Sequence, residues 1–244
     1  MKVIFFKQNK AIPSNLTTNI VLILTIIFVG IISFVSPTIS VAYLKSDDAI
    51  YQGNIQNKNV SLMINVYWGT EYISDMLEVL HSNDVKATFF VGGSWVAQNN
   101  DVFELICASN NEIGNHGYRH KDHAKISKEN NISEIADTHT LVKALSKKEM
   151  ALFAPPSGSY NKTTLEVAES LGYKTIMWSK DTIDWRDKNT DLIYSRATTD
   201  LCNGDLILMH PTKNTLEALD KIIKSIKEQG FDLVTVSENI KVDN

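Results

Sequence analysis

Hydrophobic positions in the last 200 residues follow two alternating patterns, short β-rich runs and longer stretches with helical spacing. The short runs predict strands at 60–68, 86–93, 112–116, 152–155, 174–178, 205–210 and 232–236. The helical stretches predict helices over 95–108, 132–145 and 161–171, with further apolar stripes over 73–80 and 216–226. Repeated strand–helix units of this length predict a parallel α/β fold, a distorted (β/α) barrel of about seven strands.

A different pattern fills the first 45 residues. The segment 20–35 is almost wholly aliphatic, and no charged residue occurs between Lys10 and Lys45. An apolar run of this length behind a lysine-rich end predicts one N-terminal transmembrane helix with its lysine end in the cytoplasm. A single apolar segment excludes a channel or transporter.

A cleaved signal peptide is the competing interpretation, because Ser40, Val41 and Ala42 offer small residues at the cleavage spacing. We favour an uncleaved anchor, since the apolar run exceeds the usual length of a signal-peptide core. Both interpretations place residues 46–244 outside the cytoplasm. The predicted organisation is therefore 1–45, a cytoplasmic tail with an anchor or signal peptide, and 46–244, one domain.

Charge and cysteine content argue against several classes of function. The net charge is −4, but residues 1–42 contain three lysines and no acidic residue, so the rest carries −7. So acidic a domain argues against nucleic acid as a partner, because phosphate binding needs a basic surface. Cys107 and Cys202 are too few for a disulfide scaffold and lack the CxxC spacing of a metal or redox motif.

Unusual polar and aromatic residues gather at the predicted strand ends. In parallel α/β folds, reacting groups lie on loops after the carboxyl ends of strands. Five segments stand there: 67–69, 115–120, 154–158, 181–185 and 206–211. His116 and His120 are four residues apart, and two neutral imidazoles at that spacing can converge on one metal ion.

With these segments in this order, the chain resembles the polysaccharide deacetylases of carbohydrate esterase family 4, the NodB homology domain. The resemblance covers roughly residues 58–240. His116 to His120 matches the motif His-Ser/Thr-x-x-His, with Gly117 in the hydroxyl position. Residues 181–185 match DxxDW, 206–210 match LxxxH, and 85–92 are similar to the family's second strand.

The resemblance implies a metal-dependent hydrolase that removes N-acetyl groups from N-acetylglucosamine-type cell-wall glycan such as peptidoglycan. It implies that His116 and His120 hold the metal, zinc by preference, and that His210 is the catalytic acid. Asp181 corresponds to a catalytic-site aspartate that pairs with an arginine in the family.

Two motifs depart from the family pattern. Tyr67 and Trp68 stand where the family's TFDDG motif supplies a general-base aspartate and a metal-ligand aspartate. Ala154 stands where the RxPxG motif supplies the arginine, although Pro155 and Gly158 remain. These residues and Trp185 are predicted to form a substrate-binding or degenerate part of the site.

A third metal ligand is not evident in the sequence. A catalytic zinc usually has three protein ligands, and the indole of Trp68 only donates hydrogen bonds. The candidates are Tyr67 as a phenolate, Glu71 and His123. Each also has an ordinary structural interpretation: packing for Tyr67, a helix first turn for Glu71, and a surface position for His123.

Two functions from different classes follow. The first is an anchored, metal-dependent deacetylase, a hydrolase of non-peptide carbon–nitrogen bonds whose activity is weak or lost because the carboxylates are replaced. The second is a catalytically impaired homologue that binds glycan or a partner through the same groove. The three motif histidines favour the first and the aromatic replacements favour the second. Between these two functions, the sequence favours the deacetylase.

Overall fold

The fold is an α/β half-barrel whose sheet contains seven parallel strands in the order β5-β4-β3-β2-β1-β7-β6. A computed structural model describes residues 19, 22–25 and 48–241. The strands are β1 (Asn59–Val66), β2 (Thr88–Val91), β3 (Glu112–Asn115), β4 (Leu152–Phe153), β5 (Lys174–Thr175), β6 (Lys180–Asp181) and β7 (Leu206–Met209). An eighth short strand, β8 (Asp232–Leu233), pairs in parallel with β1.

Helices connect most pairs of successive strands, and such crossovers let the strands run parallel, whereas residues 176–179 alone join β5 to β6. The helices are α1 (Thr70–Ser82), α2 (Gly93–Gln98), α3 (Asn100–Ala108), α4 (Lys128–Ser146), α5 (Lys162–Ser170), α6 (Thr190–Thr198), α7 (Lys213–Glu228) and α8 (Val236–Asn239). A 3₁₀ turn spans Pro156–Gly158. Strand–helix alternation and parallel pairing thus confirm the α/β prediction.

Alternate side chains of β1 enter two apolar layers. Leu62, Ile64 and Val66 pack into the larger layer, between the strands and the helices. Met63 points to the other face, into a smaller layer inside the curve of the sheet with Phe90 and others. Side chains of a curved parallel sheet alternate in this way, and the inner layer is the base on which the site is built.

The structure differs from the predicted elements in three places. The predicted helix 95–108 is two helices, because the backbone at Asn99 leaves the helical region and its side-chain amide donates to the Trp95 carbonyl. Strand β6 and helix α6 carry too little apolar periodicity to have been predicted. Leu145, which helical spacing places on the buried face of α4, is 44% exposed.

The N-terminal prediction lies mostly outside the described residues. Residues 22–25 are helical, with exposed side chains. Within the part of the chain that the structure describes, no helix combines the length and apolar character needed to cross a membrane. The anchor and the signal peptide both remain predictions.

Candidate functional site

A cavity of about 420 Å³ opens at the carboxyl ends of the strands, inside the curve of the sheet. All five predicted segments contribute side chains, including His116, His120 and His210. The described residues that line it are Asn65, Trp68, His116, His120, Ser157, Trp178, Asp181, Trp185, Leu208 and His210. The fold therefore brings the three motif histidines together.

His116 is held as a neutral imidazole. It is buried directly after β3, and its Nδ1 lies 2.7 Å from the carbonyl oxygen of Ala154, to which it donates. Burial, reinforced by His120, lowers the pKa of His116 to about 3. This contact leaves the lone pair on Nε2, as a metal-ligating histidine requires.

His120 completes the pair from an unusual backbone conformation. Its φ is +54°, in the left-handed region, and its ring centroid is 5.1 Å from that of His116. Burial lowers the pKa of His120 as well. The ring of Tyr67 lies 4.9 Å away, and the Tyr67 hydroxyl accepts a hydrogen bond from Ser94. Two neutral imidazoles thus stand beside an aromatic ring.

Neither Glu71 nor His123 completes a metal site. Glu71 is exposed in the first turn of α1 and does not line the cavity. His123 is fully buried, contrary to the surface alternative, with Nδ1 2.7 Å from Asn131 Oδ1 and Nε2 without a partner. Among the described residues, no three His, Cys, Asp or Glu side chains are grouped to hold an ion. The donor set offers two zinc ligands and does not fit a three-ligand catalytic zinc.

Asp184, rather than Asp181, orients His210. Asp184 is buried and accepts from the backbone nitrogen of His210 (2.6 Å), from its Nδ1 (2.8 Å) and from Thr215 Oγ1 (2.6 Å). Asp181 lines the cavity, but its Oδ1 accepts from the backbone nitrogen of Ile183. The carboxylate at Nδ1 fixes the His210 ring with Nε2 free, the arrangement of an oriented acid or base.

Indole rings form much of the cavity wall. Trp68 stacks on His210, with centroids 5.6 Å apart and 8° between the planes, and remains 43% exposed. Trp185 is 56% exposed. Trp178 packs against Gly158, whose φ is +65° and where an added Cβ would lie 2.7 Å from the indole. Pro155 is buried under the same turn.

Sequence reasoning assigned no role to Asp184, Asn65 or Trp178. Asp184 belongs to the DxxDW match, but the sequence does not tell which of its two aspartates reaches His210. Ile183, between Asp181 and Asp184, has a φ of +53°, in the left-handed region, and turns the loop that separates the two aspartates. Asn65 interrupts the apolar run 62–66 in the second half of β1, and that polar position was the available signal.

Comparison with known proteins agrees with this architecture. The polysaccharide deacetylase family model matches residues 52–176. Bacillus subtilis YlxY is 37% identical over 84% of this chain, which spans 64% of that protein's length. A Bacillus cereus peptidoglycan-N-acetylglucosamine deacetylase is 32% identical, with 70% of this chain and 82% of that protein covered.

A solved structure adds a relative of another kind. BA3943 from Bacillus anthracis, described as a CE4 family pseudoenzyme, is 38% identical with a TM-score of 0.78, covering 80% of this chain and 70% of that one. A mutant of BA3943 with restored enzymatic activity has the same TM-score. From the matched residues, the half-barrel and the histidine-lined cavity, we conclude that this chain belongs to the polysaccharide deacetylase family.

Proposed function

We propose that residues 46–244 form an extracytoplasmic domain that binds acetylated cell-wall glycan, such as peptidoglycan, and hydrolyses it slowly or not at all. The observation that carries this proposal is the stack of Trp68 on His210. Trp68 stands at the motif position where the family has a metal-ligand carboxylate. An indole ring, which offers the metal no ligand, therefore covers the His210 imidazole at this position.

The cavity suits a sugar. Its volume of about 420 Å³ falls within the roughly 300–1,000 Å³ of small-molecule sites. Trp68 and Trp185 expose large faces at its rim. Indole rings combine a broad apolar face with one polar edge, and so can stack on the C–H face of a pyranose ring.

Slow deacetylation is the second candidate, and the His210–Asp184 pair favours it. His210 keeps a carboxylate at Nδ1, and in its doubly protonated form it could give the Nε2 proton to a leaving amine. His116 and His120 also remain, and relatives named as deacetylases act on peptidoglycan N-acetylglucosamine. Against it stands the loss of the base, which typically costs about 10²–10⁴ in rate.

The cellular setting of the proposal rests on the N-terminal sequence. The aliphatic run 20–35 behind lysines is typical of a membrane anchor, or of a signal peptide if it is cleaved. Either would deliver the domain to the cell-wall side. Zinc is the divalent ion that we expect at His116 and His120, held by two ligands rather than three.

Binding to purified, insoluble peptidoglycan tests the proposed function. The full-length protein should co-sediment with it in the presence of EDTA, and Trp68→Ala should reduce the bound fraction severalfold. Leu105→Ala, at an exposed apolar residue of α3 outside the cavity, is the matched control and should bind as the wild type does. Wild-type protein that stays in the supernatant would contradict the proposal.

A further inference from the structure

Asn65 places an unpartnered amide in the inner wall of the cavity. Its side chain lies on the inward-facing side of β1, two residues beyond Met63 of the inner apolar layer. The residue is 4% exposed, and its Oδ1 is buried and has no hydrogen-bond partner among the residues that the structure describes. A buried amide oxygen without a partner is costly, and such groups in native proteins usually await a ligand or water.

The surroundings of Asn65 select the chemistry of that ligand. Leu208 and His116 line the same cavity, and His116 Nδ1 donates to the carbonyl oxygen of Ala154. Among the described lining residues the carboxylate is Asp181, whose Oδ1 accepts from the Ile183 backbone nitrogen. Because an ammonium group only donates hydrogen bonds whereas an amide both donates and accepts, the Asn65 amide is matched better by an uncharged amide than by a protonated amine.

We infer that Asn65 recognises the acetamido group of an N-acetylated amino sugar and lets the cavity distinguish it from the free amine. The amide of Asn65 offers an acceptor for the acetamido N–H and a donor for its carbonyl oxygen. Trp68 and Trp185 would hold the pyranose ring irrespective of acetylation. The inference rests on the proposed glycan binding and names the group that sets its specificity.

Calorimetry on the full-length protein in EDTA at pH 7 tests the inference with two probes, the trimer of N-acetylglucosamine and the trimer of glucosamine. Wild type should prefer the acetylated trimer. Asn65→Leu, close in volume, should weaken binding of that trimer about fivefold or more and leave the glucosamine trimer unchanged. Its urea midpoint should not fall, because it removes an unpaired amide from an apolar wall.

A second variant guards against a folding defect. Asn65→Asp keeps the shape but supplies a carboxylate, so the preference should move towards the ammonium-bearing trimer. Trp185→Ala should weaken both trimers alike. Variants at Asn65 that keep the wild-type ratio between the trimers would overturn the role of Asn65, whereas wild type that binds neither trimer would overturn the proposed function itself.

Discussion

Trp68 lies flat against His210, with ring centroids 5.6 Å apart and planes 8° from parallel. Asp184 holds the Nδ1 edge of the same imidazole, so His210 is fixed by an aromatic face and a carboxylate. The replacement that removes a metal ligand from the family motif therefore also covers the catalytic-acid position. One residue thus replaces a motif carboxylate and adds an aromatic wall.

Removing Asp184 should destabilise the domain far more than removing Asp181. Asp184 is buried and accepts three hydrogen bonds, so Asp184→Ala leaves buried donors unpaired and should lower the free energy of unfolding by about 3 kcal/mol. Asp181→Ala, the matched control, loses one bond to a loop and should cost less than about 1 kcal/mol. Equal urea midpoints for the two variants would contradict this.

The sequence predicted the order of strands and helices, because apolar periodicity is strong where both faces of a strand are buried, as in β1 and β7. It also predicted that the three motif histidines meet, since parallel strands end at one edge. It did not predict that Asp184 partners His210, that the His123 ring is buried, or that Asn65 is unpaired. Those facts depend on loop dihedrals and on contacts between distant segments, which no local pattern encodes.

Acid should destabilise the protein partly through His116. Its pKa is lowered to about 3 in the folded chain, against about 6.5 when unfolded. Between these values only the unfolded chain binds the proton, so this contribution is complete above about pH 6.5 and is lost as the pH falls towards 3, at ~1.4 kcal/mol per pH unit.

Urea unfolding at pH 7 and pH 5, in EDTA, measures this effect. His116→Asn keeps a donor for the Ala154 carbonyl but does not titrate, so it should lose less stability than the wild type between the two pH values. His120 and His123 are present in both proteins, and the difference therefore isolates His116. An identical loss in the two proteins would show that His116 does not titrate on unfolding.

Metal binding should be weak and should depend on the histidine pair. The full-length protein should bind about one zinc ion through His116 and His120, less tightly than a three-ligand site would. A competition titration with a chromogenic chelator gives the affinity. His139→Ala removes a histidine that is hydrogen-bonded to Tyr173 and does not line the cavity, and should bind as before. Stoichiometric zinc in a His116→Ala, His120→Ala double variant would refute the assignment.

The N-terminal segment should keep the protein at the membrane, with residues 46–244 outside the cytoplasm. Cell fractionation followed by protease accessibility in intact protoplasts checks both parts. Full-length protein found soluble in the cytoplasm would rule out the placement. A mature N-terminus at Tyr43 would indicate cleavage and leave the extracytoplasmic location intact.

Restoring the family residues together should restore hydrolysis. Tyr67→Asp, Trp68→Asp and Ala154→Arg would supply the base, the third ligand and the orienting cation. Ala154 is fully buried, so the arginine alone would be an unpaired buried charge, and groups that act as a unit are strongly non-additive. The restored activity of a BA3943 mutant shows that a related scaffold can recover catalysis.

Folding of the triple variant must be measured beside its activity, because Tyr67 packs against the larger apolar layer and its replacement removes that contact. The single variants are the controls and should remain inactive. A folded triple variant that binds zinc but releases no more acetate than the parent would count against a latent deacetylase site.

Acetate release from the hexamer of N-acetylglucosamine, with zinc present, is the most direct test of impaired catalysis in a glycan-binding site. Wild type should bind the hexamer and release acetate slowly or undetectably, and any release should disappear in His210→Ala. Turnover at the rates of ordinary enzymes, about 1–10³ per second, would contradict the account and show that the cavity contains a working base.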